Sequence, residues 1–220
     1  IAGCPVQLPV INSGFEDVSR SLAVGELTNG AGGDSVQVGT RPNYFAPPQF
    51  SETVVVTGWR TLLPPPNNPT ATIRAGVMNP PTVGQGEPFL MGYNGTYVAT
   101  LQNTYMQQTL PVILSPNTKY TLSFVAGFGV GTSPEAVYVS LLAVPDLETP
   151  YFANTPGAML LAQTQGQFFL QQNEGQMLPF TLEYTSPATL PPSLQSKYIA
   201  ISFIGSDGIP ITNYDEFRLM

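Results

Sequence analysis

Along much of the chain apolar and polar residues alternate one by one. Tyr120, Leu122 and Phe124 hold one set of positions, and Thr121 and Ser123 hold the other. Successive side chains of a strand point to opposite faces, so the alternation predicts a strand buried on one side. Val137, Val139 and Leu141 likewise oppose Tyr138, Ser140 and Leu142, a second face mixed enough to line a ligand surface or to meet solvent. By alternation, or by enrichment in β-branched and aromatic residues, strands are predicted over Val6–Ile11, Glu52–Trp59, Thr96–Gln102, Met106–Leu114 and Thr118–Phe128. Further strands are predicted over Ala136–Val144, Gln167–Gln172, Leu178–Tyr184, Tyr198–Phe203 and Asn213–Met220. Ser115-Pro-Asn-Thr118 and Gly205-Ser-Asp-Gly208 supply turn chemistry between them. The 23 prolines and 21 glycines leave few segments long enough for a helix. These features predict an all-β fold: a single antiparallel β-sandwich, a jelly roll over residues 1–220, with its first and last strands adjacent.

Two stretches break the pattern and read as loop insertions, at about residues 25–50 and 62–72. Gly25–Phe50 ends in the aromatic run NYFAPPQF, and Leu62–Thr72 carries LLPPPNNPT. Loops this long in a compact domain are usually functional or disordered. A plain surface loop is one reading. The other is a lid over a pocket mouth, because Tyr44, Phe45 and Phe50 are costly to leave in water.

The closing octet NYDEFRLM alternates as well. Asp215, Phe217 and Leu219 fall on one face, and Tyr214, Glu216 and Arg218 on the other. Since Phe217 and Leu219 seek a core, the pattern sends Asp215 towards the same apolar interior.

Composition narrows the chemistry. Hydrophobic residues make up 42%, enough for a substantial core, whereas charged residues are only 10%, against roughly 25% in an ordinary soluble domain. A net charge of −7 without any Lys/Arg cluster argues against nucleic acid as a partner. Histidine is absent, which removes Ser-His-Asp and Cys-His nucleophiles and imidazole zinc sites. Acid–base work falls to carboxylates, tyrosines, Lys119 or Lys197. The single cysteine, Cys4, has no internal disulfide partner, and IAGC loosely matches the run before a lipidated bacterial cysteine. No segment approaches the ~18 apolar residues of a membrane span. Sparse lysine with abundant Asn, Gln, Thr, Gly and Pro reads as an exported chain, periplasmic or extracellular, whose signal segment has been removed.

Four segments then stand out in order: INSGFED (Ile11 to Asp17), TGW (Thr57 to Trp59), QQTLPVILSPNTKYTLSF (Gln107 to Phe124) and YDEFRL (Tyr214 to Leu219). Together they resemble the calcium-containing, galactose-binding-like jelly rolls, a fold shared by carbohydrate-binding modules and many exported bacterial domains. Within that group the chain looks like the cyanobacterial Stig cyclases, which make hapalindole- and fischerindole-type indole alkaloids. The features that carry this are the length, the Pro-rich aromatic insertions, the lack of His and the Asp in the last strand. The resemblance implies isomerisation of an isonitrile-bearing geranylated indolenine by Cope rearrangement, aza-Prins cyclisation and electrophilic aromatic substitution. It also implies a structural calcium ion, no organic cofactor, and a homodimer or a heterodimer with a homologue.

Such chemistry needs shape to hold the reacting termini together, an acid for the indolenine nitrogen, and aromatic walls for cationic intermediates. A carboxyl group in an apolar pocket suits the acid, since burial disfavours its charged form. Asp215 is the first candidate and Asp207, in a turn, the reserve. In this type of fold the same carboxylate could instead bind calcium or cap backbone N–H groups, and both readings stay open. Tyr97, Tyr105 and Tyr138 are candidates for the catalytic walls, with Phe89, Trp59, Tyr44 and Phe45 as substrate contacts. Each tyrosine, and Trp59, could equally be a packing aromatic. Calcium requires several oxygen ligands at once: the acidic pair Glu16–Asp17 lies beside the first strand, and if the terminal strands adjoin Glu16 and Glu216 can converge, with Asn12 and backbone carbonyls completing the shell. The competing functions are a non-catalytic carbohydrate-binding module and a cell-surface matrix domain. A sugar binder would show an aromatic platform and polar side chains on an open face.

Overall fold

The strand β5 (Lys119–Gly127) realises the alternation directly: Tyr120, Leu122, Phe124 and Ala126 are buried, and Thr121, Ser123 and Val125 between them are only half-buried. The computed structural model describes residues 5–18, 21, 56–62, 74–81, 90–102, 104–129, 136–149, 151, 153, 155–164, 167–168, 173–205 and 212–220. Its strands are β1 (Arg60–Leu62), β2 (Arg74–Met78), β3 (Val98–Gln102), β4 (Thr104–Ile113), β5, β6 (Ala136–Val144), β7 (Met159–Gln163), β8 (Gln167–Phe168), β9 (Met177–Thr185), β10 (Tyr198–Gly205) and β11 (Thr212–Leu219). One sheet runs β1-β4-β10-β6-β7, with β8 also on β6, and the other runs β2-β3-β11-β5-β9. Every named pairing is antiparallel, as a jelly roll requires.

The two sheets close on one core. Phe15, Trp59, Phe203, Phe217 and Tyr214 form its aromatic centre, with ring centroids 5.1 Å apart for Phe15–Trp59 and 4.8 Å for Phe203–Phe217. The Tyr214 hydroxyl crosses between sheets and donates to the Ile204 carbonyl at 2.8 Å. A buried phenol needs such a partner, so this bond also fixes how the sheets face each other.

The segments that carried the resemblance prove to be one structural assembly. Asn12 (φ 50°) and Phe15 (φ 58°) adopt the left-handed conformation and turn the chain so that Phe15 plugs the core. The Asn12 carboxamide closes the loop, accepting the Asp17 N–H and donating to the Asp17 and Thr57 carbonyls. Trp59 Nε1 donates to the Asn12 carbonyl, and buried Gln108 accepts the Ile11 N–H and donates to the Ile11 and Gly58 carbonyls. A side chain on Gly58 would meet Ile11 at 2.8 Å, which explains the glycine before the tryptophan. The chain's two ends do meet: Leu8 N–H donates to the Leu219 carbonyl at 2.7 Å and Phe217 N–H to the Ser13 carbonyl at 3.1 Å.

Several expectations change. Val6–Ile11 makes a lone bridge, Leu8 to Leu219, instead of a strand, since Pro5 and Pro9 withhold donors from a ladder. Within Glu52–Trp59 the described part is a bridge at Val56 and a turn at Thr57-Gly58, and the strand begins at Arg60. β2 and β7 carry no alternation and were not expected. Gln167–Gln172 is strand at Gln167–Phe168, its remainder falling outside the described residues.

Candidate active site

The last strand does not keep its period. Asn213, Tyr214 and Asp215 pair with Gly127, Ala126 and Val125, and then the register jumps so that Arg218 pairs with Ser123. A β-bulge absorbs the extra residue at Glu216, whose φ is 54°. The bulge reverses the expected face. Tyr214 joins Phe217 and Leu219 in the core, while Asp215 turns with Val125 to the outer side of the second sheet. That side is not open to water. Met78, Leu90, Val98 and Met177 form a second, smaller core there, with Tyr93 and Val125 packed against it.

Asp215 is fully buried at this place. Its Oδ2 accepts the Asn94 N–H at 3.0 Å and its Oδ1 accepts the Glu216 N–H at 2.8 Å. Gly14 lies beside Oδ1, where even a Cβ would come within 3.5 Å. Burial dominates the carboxyl's titration and pushes it from 3.8 up to about 7. The two N–H donors oppose that shift, and the charges of Glu216 and Glu16 add to it. A group so placed is about half protonated near pH 7, so a large share of the molecules carries a carboxylic acid able to donate a proton.

Residues Leu90 to Tyr97 run over this carboxyl as a strap. Leu90 N–H donates to the Pro81 carbonyl, and Met91 exchanges backbone bonds with Gly175 and Met177 at 2.8 and 2.7 Å. At the other end Glu16 Oε1 accepts the Thr96 and Tyr97 N–H groups at 2.7 and 2.8 Å. Half-buried Tyr93 lies between these anchors, and its hydroxyl is pushed above its ordinary value by burial, then by the charges of Asp215 and Glu16. Tyr93 and Asn94 were not among the expected site residues, since GYNG reads as turn punctuation. The signal available was an aromatic inside it.

The other candidates are placed as follows. Tyr97 is buried in the main core. Tyr105 on β4 and Tyr138 on β6 both register with Ile204, on the side of their sheet away from the core. Asp215 is on the outer side of the opposite sheet, so the sandwich lies between it and these two tyrosines, and they do not wall its site. The same face carries Gln107, Ser202 and Ser140 in register, all buried, so this row offers no open polar platform of the kind a sugar binder needs. Trp59 is a core residue, not a substrate contact. Phe89, Tyr44, Phe45, Asp207 and Cys4 lie outside the described residues.

Three of the expected calcium ligands already have partners within the protein. The Asn12 carboxamide is committed to backbone partners, Glu16 Oε1 holds the strap, and Glu216 lies 3.9 Å from the Arg218 guanidinium. Among the described residues no group of three or more Cys, Asp or Glu side chains could hold a metal ion. Calcium wants six to eight oxygens, so an ion here would need backbone carbonyls beside these side chains.

Comparison with known proteins gives this geometry a context. No curated protein matches the chain. A Stig cyclase, Fisc, from Fischerella sp. TAU, solved in complex with (3Z)-3-(1-methyl-2-pyrrolidinylidene)-3H-indole, is similar at 22% identity, covering 97% of this chain and 96% of that one, with a TM-score of 0.62. A cyclase from Fischerella sp. TAU in complex with 4-(1H-indol-3-yl)butan-2-one is similar at 21% identity, covering 98% and 97%, with a TM-score of 0.62. These likenesses show a shared fold. The HpiC1-like family, described as HpiC1 cyclase, matches residues 6–220. That match takes in both halves of the terminal assembly, INSGFED and YDEFRL, and with them Asp215. The chain belongs to the HpiC1 cyclase family.

Proposed function

We propose that this protein is an indole alkaloid cyclase and that Asp215 is its acid. The substrate in this reading is an isonitrile-bearing geranylated indolenine, carried through Cope rearrangement, aza-Prins cyclisation and electrophilic aromatic substitution. The sequence is an isomerisation: the proton lent to the indolenine nitrogen is recovered when the aromatic ring loses its own in the last step. One observation carries the assignment. A chain of a cyclase family holds a fully buried carboxyl whose titration is pushed up to about 7. The indole compounds bound in the two Fischerella cyclases support an indole substrate. Tyr93 is the aromatic closest in role to the expected walls, since it shares the outer-face core with Asp215's neighbours.

Assembly with a second copy or a homologue, and export from the cytoplasm, are further parts of the proposal, resting on the resemblance and on composition. Calcium enters only as a stabilising ion near Glu16 and Asp17. No step of the reaction passes through it, and its role is confined to the fold.

The test is Asp215→Ala assayed for turnover of the geranylated indolenine. General acid help is typically worth about 10²- to 10⁴-fold, and turnover should fall by that much while the protein stays folded. Asp215→Asn retains the shape without a transferable proton and should be similarly impaired. A folded Asp215→Ala protein with normal turnover removes the acid. Recovery by excess calcium would instead assign Asp215 to a metal.

A further inference from the structure

Asp215 can act on a substrate only if something uncovers it. It is fully buried, and its Oδ2 is occupied by the backbone of Asn94 in the strap. Gly92 (φ 83°) and Gly95 (φ 85°) flank Tyr93 and Asn94, and the segment Asn94 to Thr96 is exposed on its far side. Gly92 lies so close to β9 that a Cβ would come within 2.9 Å of the Met177 carbonyl, and at Gly95 a Cβ would collide with the Glu16 carboxylate. The Met91 end is held by backbone pairing, whereas the other end is held by one side-chain oxygen at the protein surface, Glu16 Oε1, bound to two N–H groups.

We infer that Glu16 is a positioning residue: it latches the strap Gly92–Thr96 over Asp215, and release of that latch admits the substrate to the acid. This rests on the reading of Asp215 as the acid. Two backbone donors on one exposed carboxylate oxygen give a hold that breaks and reforms at the cost of Tyr93's packing on the smaller core alone, leaving the main core in place, which is what a gate requires. When closed, the latch places the Asn94 N–H on Asp215 and Tyr93 beside it. When open, it leaves β3 and β11 intact, since their ladders involve neither Thr96 nor Glu16.

The experiment is hydrogen exchange over the peptide 91–98, with turnover in parallel, for wild type, Glu16→Ala, Glu16→Gln and Gly95→Ala. Loss of both bonds in Glu16→Ala should speed strap exchange roughly five- to thirtyfold, with β5 and β10 unchanged. Glu16→Gln keeps an acceptor oxygen and should restore most of the protection. Gly95→Ala pushes the carboxylate aside and should reproduce the Glu16→Ala exchange, so the inference stays testable if Glu16→Ala does not fold. In turnover, an unlatched strap should raise KM and lower kcat together, and Glu16→Gln should rescue both. Unchanged strap exchange in Glu16→Ala or Gly95→Ala overturns the latch. Faster exchange with wild-type kinetics overturns its part in catalysis. Asp215→Ala, run alongside, reports on the acid separately: normal turnover there sinks the acid, whatever the strap exchange shows.

Discussion

Stability measured against pH should expose Asp215 directly. The carboxyl ionises near 3.8 when the chain is unfolded and at about 7 when it is buried. Between those values the folded protein holds one more proton than the unfolded chain, so stability falls as pH rises through the window and levels off above about 7. At about 1.4 kcal/mol per pH unit the interval amounts to about 4 kcal/mol. That is a large share of the ~5–15 kcal/mol that holds a domain folded. Asp215→Asn cannot ionise and removes this contribution. Its amide also turns an N–H towards one of the two backbone donors, a pH-independent loss of about 1–3 kcal/mol. The informative quantity is therefore the difference between variant and wild type, followed by urea unfolding from pH 4 to pH 8. It should move by about 4 kcal/mol in favour of the variant as pH rises, while contributions from all other groups cancel. A difference constant to within about 1 kcal/mol across the range refutes the buried-acid argument. A slope of opposite sign refutes it more sharply, since a metal-bound carboxylate stabilises the fold when ionised.

Turnover at low substrate should decline about tenfold per pH unit above about 7 as Asp215 loses its proton, a profile read from kcat/KM against pH and absent in Asp215→Asn. Phe15→Ala empties the aromatic centre shared with Trp59 and Phe217 and should lower stability by about 3–5 kcal/mol in denaturant melts. Asn12→Ala removes three bonds that close the 12–17 loop and should lose about 1–3 kcal/mol, with a lowered Tm. Excess EGTA should lower the Tm and calcium restore it, by about 2.7 kcal/mol of stabilisation at a hundredfold excess over Kd. An unchanged melt of a metal-free sample removes the ion from the scheme.

The sandwich was legible wherever a strand has one wet and one dry side. β5 follows its alternation residue by residue, and the boundaries of β5 and β6 lie within a residue of expectation, although β6 is buried on both faces from Val139 to Val144. β2, with RAGVM, and β7, with MLLAQ, were invisible because small or uniformly apolar residues carry no period. Asp215 was singled out correctly as a buried carboxyl but for a mistaken geometric reason. A period-2 reading assumes an unbroken pleat, and nothing in YDEFRL announces that Glu216 takes a positive φ and shifts every residue before it to the other side. The strap was missed on similar grounds. Its anchors are backbone N–H groups on Asp215 and Glu16, 121 and 80 residues away for Asn94 and Thr96, and backbone donors leave no trace in side-chain pattern.

The second sheet places β11, made last among its strands, in the centre, between β3 and β5. A growing chain therefore carries this sheet as two separate half-sheets, β2-β3 and β5-β9, each with a bare edge, until residues 212–219 arrive to join them. Neither half can align its inner face by itself, because Tyr214 and Phe217, which both rest on Phe203, come with the joining strand. Such a chain folds late and through long-range contacts, which makes it slow to form and exposed to edge-to-edge association meanwhile. The same strand delivers Asp215. Completion of the fold and arrival of this buried carboxyl are one event, so a chain shortened before Thr212 is left without either.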